Sequence, residues 1–162
     1  MNKYWKYELF PQFLDSIRDC TFVAMEDIDL NTTLNEITKA AINDFLFPKC
    51  KLDFEYDSNR DRVDGLDYGY YFIDEAIGLS ELNVILAFMK VHWVKAQITW
   101  DNNFKNPFFD KDIKGFSPAN MLNAMNKMLD TFIKDAEKIR FNYNRKNKKG
   151  QIQWGQVNAK RK

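Results

Sequence analysis

The stretch Ser80 to Trp100 constrains this chain more than any other. Leu82, Ile85, Leu86, Met89, Trp93, Ala96 and Trp100 recur at three- and four-residue intervals, the spacing of one helical face. Val84, Phe88, Val91 and Ile98 form a second apolar stripe on another face. A helix apolar on two faces must be covered from two sides, which predicts the buried centre of a bundle. A membrane span needs roughly 20 mostly apolar residues, and Lys90, His92, Lys95 and Gln97 interrupt this one. Ser80 and Glu81 are suited to open the helix, by hydroxyl capping and by an acid at the positive end of the dipole.

The flanking sequence supplies elements to cover that helix. Phe10, Phe13, Leu14 and Ile17 predict a short helix after Pro11, a residue that suits a first turn. Leu30, Leu34, Ile37, Ala41 and Phe45 share the face of a second helix that Pro48 ends. Thr33 and Glu36 have capping-box spacing there, with Asn31 and Thr32 as alternative caps. The period then changes to two. Leu52, Phe54 and Tyr56 alternate with Lys51, Asp53 and Glu55, and Tyr68 to Ile73 is an aromatic returning strand weakened by Gly69, so a β-hairpin is expected. A lone hairpin is unstable and must pack on the bundle or join a neighbour's sheet.

Beyond Trp100 lies a long loop whose Phe104, Phe108, Phe109 and Phe116 require something to pack against. Ser117-Pro118 is a strong helix start, and Met121, Met125, Met128, Phe132, Ala136, Ile139 and Tyr143 form the stripe of a last helix reaching about Arg145. The expected fold is mainly α: a helical bundle around a buried central helix (about 80–100), a long C-terminal helix (about 118–145), a small β-hairpin wing (about 50–73) and an extended C-terminal arm. Two units follow, a bundle with hairpin over 1–146 and a basic arm over 147–162, anchored by Ile152 and Trp154.

Charge is distributed unevenly along the chain, with the break at Arg140. Arg140, Arg145, Lys146, Lys148, Lys149, Lys160, Arg161 and Lys162 are eight basic residues in a segment without acids; subtracting them from the net +1 leaves the rest of the chain at −7. Acids gather at Asp53, Glu55, Asp57, Asp61, Asp64, Asp67, Asp74 and Glu75. A basic tail on an acidic body points to docking on an acidic protein surface or on nucleic acid. Cys20 and Cys50 make no metal or redox motif and suggest a reducing compartment. The first residues lack the apolar run of a signal peptide, so use on the cytosolic side is expected.

Few residues converge for chemistry. His92 is the only histidine and lies in the core helix, with no nucleophile motif beside it. No glycine-rich phosphate loop occurs. Asp57, Asn59 and Asp61 match the first three ligand positions of a calcium loop, but Arg62 replaces the required glycine and Tyr68 the bidentate glutamate. Asp110-Lys111-Asp112 could imitate a metal-binding acidic pair, but Asp112 and Lys114 are better suited to surface or inter-subunit ion pairs. Neither a catalytic residue, nor a metal ligand, nor a cofactor is expected, and the chain reads as something other than an enzyme.

Two segments carry a resemblance. Glu81-Leu-Asn-Val-Ile-Leu-Ala-Phe-Met-Lys-Val-His-Trp93 followed by Asp110-Lys-Asp-Ile-Lys-Gly-Phe-Ser-Pro-Ala-Asn120 resembles the small neck proteins of tailed bacteriophages. The matching positions are Glu81, Leu86, Met89, Trp93, Asp110, Lys111, Asp112, Ile113, Lys114, Ser117 and Asn120, within a likeness spanning roughly residues 30–145. The first twenty residues and the basic arm add nothing to it.

This resemblance implies a structural virion protein, a head–tail connector or adaptor made in the host cytoplasm and placed in the neck. It implies a homomeric ring, twelvefold by family analogy, contacting the portal and the next neck or tail protein. Asp110, Lys111, Asp112, Lys114, Phe108, Phe109 and Phe116 become inter-subunit candidates. Arg145, Lys146, Lys148, Lys149, Ile152, Trp154, Lys160, Arg161 and Lys162 become the arm that docks on the portal, with non-specific contact to DNA in the channel as an additional role. The competing reading is a nucleic-acid-binding or regulatory helical module driven by the basic tail. A metal-dependent hydrolase is the third.

Overall fold

The computed structural model describes residues 3–17, 26–57, 69–103 and 118–145. In chain order these form β1 (Lys3–Tyr4), α1 (Trp5–Glu8), α2 (Phe10–Ile17), α3 (Asp27–Asp44), β2 (Phe54–Asp57), β3 (Gly69–Phe72), α4 (Leu79–Asn103) and α5 (Pro118–Arg145). The protein is mainly helical with a small antiparallel sheet, as the sequence periods require.

The core is built around the first two-thirds of α4. Leu82, Val84, Ile85, Ala87, Phe88, Met89, Val91 and Val94 are all buried there, so the helix is covered around most of its circumference over this span, with Asn83 left exposed. Beyond Val94 the enclosure ends: Ala96 is exposed and Ile98 only half-buried. The expected stripes were therefore right in phase and too long. Helix α3 covers one side through Leu34, Ile37, Ala41 and Ile42. Its buried Thr38 donates to the Leu34 carbonyl at 2.7 Å, which satisfies the hydroxyl inside the helix and leaves its outer surface against the Met89 sulfur. Helix α5 covers the other side through Ala136 and Tyr143, with Leu129 and Phe132 partly buried.

Helix starts differ from the sequence expectation. Helix α3 begins at Asp27, with Glu26 in extended backbone before it and no side-chain cap. Thr33 and Glu36 thus lie well inside the helix, where Glu36 pairs with Lys39 at 2.8 Å instead of closing a capping box. Helix α4 begins at Leu79, so Ser80 is an exposed residue of the first turn rather than the cap. Gly78 takes the capping position: its carbonyl accepts from the Leu82 N–H (3.1 Å), and its own N–H donates to the Glu81 carboxylate (3.0 Å). That is the carboxylate half of a capping box, achieved without a hydroxyl. Helix α3 stops at Asp44, ahead of Pro48, and Phe47 then adopts a left-handed φ of 61°.

The wing is a sheet of three strands where a hairpin was expected. Strand β3 is central, with β2 on one side and β1 on the other, both antiparallel. Lys3 pairs with Phe72 and Tyr4 with Tyr71; Phe54 pairs with Phe72 and Asp57 with Gly69. Gly69 has φ 122°, a backbone state that favours glycine, so the residue read as a weak point of the strand is the one that lets it start. Strand β1 is only two residues long, too short to leave a periodic signal, and it escaped the sequence reading for that reason. Trp5 and Leu9, also unclaimed by that reading, are wholly buried under the sheet.

Candidate interaction surfaces

Three surfaces follow from this arrangement. On the outer face of the sheet, Asp53, Glu55 and Asp57 alternate along β2 and share one side of it. The Tyr71 hydroxyl donates to Glu55 at 2.7 Å, and the Tyr4 hydroxyl donates to Asp57 at 3.0 Å. The hydrogen bond to Glu55, followed by desolvation, holds the Tyr71 phenol above its ordinary pKa. The opposite side of β2 is aromatic. Phe54 and Tyr70 pack on the Trp5 indole at centroid distances of 4.8 and 4.9 Å, and Tyr56 meets Tyr70 edge-on at 4.9 Å. The Trp5 Nε1–H has no hydrogen-bond partner among the described residues and is enclosed by these rings.

The second surface is the junction where α5 ends. The Tyr143 hydroxyl donates to Glu81 at 2.8 Å and accepts from the Lys49 backbone N–H at 2.8 Å. The Lys49 ammonium returns to the Tyr143 carbonyl at 2.7 Å. Burial, with Glu81 beside it, pushes the Tyr143 phenol far up, and burial pushes the Cys50 thiol up to about 11. One turn earlier, Arg140 lies 5.7 Å over the Phe88 ring and pairs with Glu137. His92 is bonded to Asp44 across 2.9 Å, as a packed, hydrogen-bonded histidine should be. These contacts tie the last turns of α5 to the loop after α3 and to the start of α4.

The third surface is a groove where α2, α4 and α5 meet, floored by Leu86, Ala87, Phe132 and Ile139 and rimmed by Lys90 and Asp135. Helix α5 is only partly covered: Ile139 of its stripe remains exposed, as do Ile133 and Phe141, with Arg145 stacked 5.3 Å over the Phe141 ring. A helix this long outruns the elements that could cover it.

Of the residues singled out in the sequence, Arg145 lies at the exposed end of α5. Lys146, Lys148, Lys149, Ile152, Trp154, Lys160, Arg161 and Lys162 lie outside the described residues, as do Phe108, Phe109, Asp110, Lys111, Asp112, Lys114 and Phe116. Asp57 is described and accepts from Tyr4, whereas Asn59 and Asp61 are outside the described residues. Among the described residues no group of three His, Cys, Asp or Glu side chains is placed to hold a metal ion. None of their helices is long and apolar enough to cross a membrane.

Sequence reasoning passed over Lys49 and the roles of Glu81 and Tyr143 at the junction. Glu81 carried a signal, as an acid three residues after a glycine at a helix start; Lys49 carried none. Comparison of the chain with protein-family models, with curated proteins and with solved structures gives no match in any of the three.

Proposed function

We propose that this protein is a structural component of a tailed-phage neck, a connector that forms a homomeric ring between portal and tail. The observation that carries the reading is the separation of charge between two ends of one chain. Strand β2 of the wing carries acids, and the sequence from Arg140 onward, beginning in the last turns of α5, is strongly basic. An acidic patch on one copy meeting the basic end of the next is a heterologous contact, and such contacts close into rings when the rotation permits. The half-covered apolar stripe of α5 adds surface for a neighbour to bury.

The reading is tested by cutting the chain after Arg145. The expected product unfolds with the cooperativity of the full chain but fails to join particles, as read by denaturation and by imaging of purified virions. Normal incorporation of the shortened chain would remove the docking arm from the argument. Steeply salt-dependent binding of the full chain to random duplex DNA would favour the nucleic-acid module instead.

A further inference from the structure

The end of α3 and the groove between α2, α4 and α5 lie on opposite sides of α4. Asp44, the last residue of α3, is bonded to His92, whereas Lys90 rims the groove, and residues two apart on a helix point away from each other. Just past Asp44 the chain exposes Leu46 and Phe47, and Phe47 sits in left-handed backbone with φ 61°. A bulky side chain in that conformation is strained, and no burial of the ring offsets the strain here. Strain of this kind persists where a side chain is presented for a task.

The groove matches this pair in size, polarity and charge. It consists of two adjoining hollows of about 320 and 360 Å³ that share Ala87, Lys90 and Ile139. A cavity of about 150 Å³ already admits a benzene ring. Leu86, Phe132 and the exposed Ile139 offer apolar surface to such a ring. Beside Phe47, the Asp44 carboxylate and the carbonyl end of the α3 dipole are negative. The nearest cation in sequence, Lys49, is held against the Tyr143 carbonyl and ring. On the groove rim Lys90 and Lys138 outnumber Asp135. We propose that Leu46 and Phe47 of one copy insert into the groove of a second copy. Phe47 then lies between Leu86 and Ile139, and Asp44 comes up beside Lys90 and Lys138. Knob and groove are different surfaces, so the contact is heterologous and repeats from copy to copy. The choice of a second copy rests on the ring reading above; the knob and the groove do not.

The test is sedimentation of the full chain over a concentration series reaching millimolar, where species larger than a dimer are expected. Phe47→Gly should weaken association at least about tenfold. The same change should raise the unfolding midpoint of the dilute protein, so a loss of association cannot be ascribed to misfolding. Ile139→Lys puts a cation on the groove floor at an exposed position and should weaken association to a similar degree, with the circular dichroism spectrum unchanged. The first variant keeps its groove and the second keeps its knob. An equimolar mixture should therefore form heterodimers and nothing larger, whereas each variant alone stays single at the same concentration.

A parent chain that stays single up to millimolar, a Phe47→Gly variant that associates like the parent, or a mixture no larger than its components would each overturn the proposal. Imaging of particles separates this outcome from the neck reading. Necks in which Phe47→Gly protein forms the same ring as the parent would sink the knob and leave the neck reading standing. Association through knob and groove by a protein absent from particles would do the reverse.

Discussion

The Tyr143 hydroxyl donates to the Glu81 carboxylate at 2.8 Å, joining the end of α5 to the start of α4 across 62 residues of sequence. The same hydroxyl accepts from the Lys49 N–H, and the other oxygen of Glu81 accepts from Gly78. One phenol and one carboxylate therefore complete the first turn of the central helix, hold the loop after α3 and anchor the last turns of α5.

Tyr143→Phe removes the donor to Glu81 and leaves the Lys49 N–H unsatisfied. The expected loss is about 1–2 kcal/mol of stability, as for other part-buried hydrogen bonds, read from urea unfolding. Thr131→Ala is the control. Its hydroxyl is exposed and bonds only to the Lys127 carbonyl of its own helix, so the change should stay within about 0.5 kcal/mol.

Alkaline pH should loosen the same junction. Burial, followed by Glu81 and Asp74, raises the Cys50 thiol from 9.0 to about 11, and burial raises the Tyr143 phenol as well. A folded pKa above the unfolded one means that the folded state holds its proton more tightly. That stability is fully present below about pH 9 and is lost as pH rises through about 11. The urea midpoint should therefore fall between pH 8 and pH 10.5, and Cys50→Ala with Tyr143→Phe should flatten the slope. Cys50 should also react slowly with iodoacetamide at neutral pH, because the thiolate is the reactive form.

Phe47 combines a φ of 61° with 79% exposure. A side chain in left-handed backbone costs about 1–2 kcal/mol, and one this exposed recovers little by packing. Phe47→Gly should therefore stabilise the protein, by about 0.5–1 kcal/mol once the extra freedom of glycine in the unfolded chain is subtracted. Thermal unfolding measures it, and a lower melting temperature would contradict the account.

The enclosure of α4 is steeply graded along its length. Ile85→Ala, at a site wholly buried, should cost about 2–5 kcal/mol. Thr99→Ala, four turns on and exposed, should lie within about 0.5 kcal/mol of the parent. Comparable losses at the two sites would mean that the far end of the helix is covered as well.

The sequence by itself determined the four longer helices and most of their inward faces, because periodicity is a local property: a stripe at positions 82, 85 and 89 can be buried only on one side of one helix. It also determined the division of charge, which is a matter of counting. It could not show that β1 completes the sheet, since a two-residue strand has no period and gains its meaning only from β3, more than sixty residues away. It could not choose among hydroxyls and acids of equal spacing for the helix caps, which depend on backbone angles at Gly78 and Glu26. Tertiary structure alone decided how far along α4 burial extends, that Tyr143, Lys49 and Glu81 meet, and that β3 stands between β1 and β2. Each of these is a non-local contact, and nothing in the spacing of residues along a chain encodes which distant segment will arrive beside it.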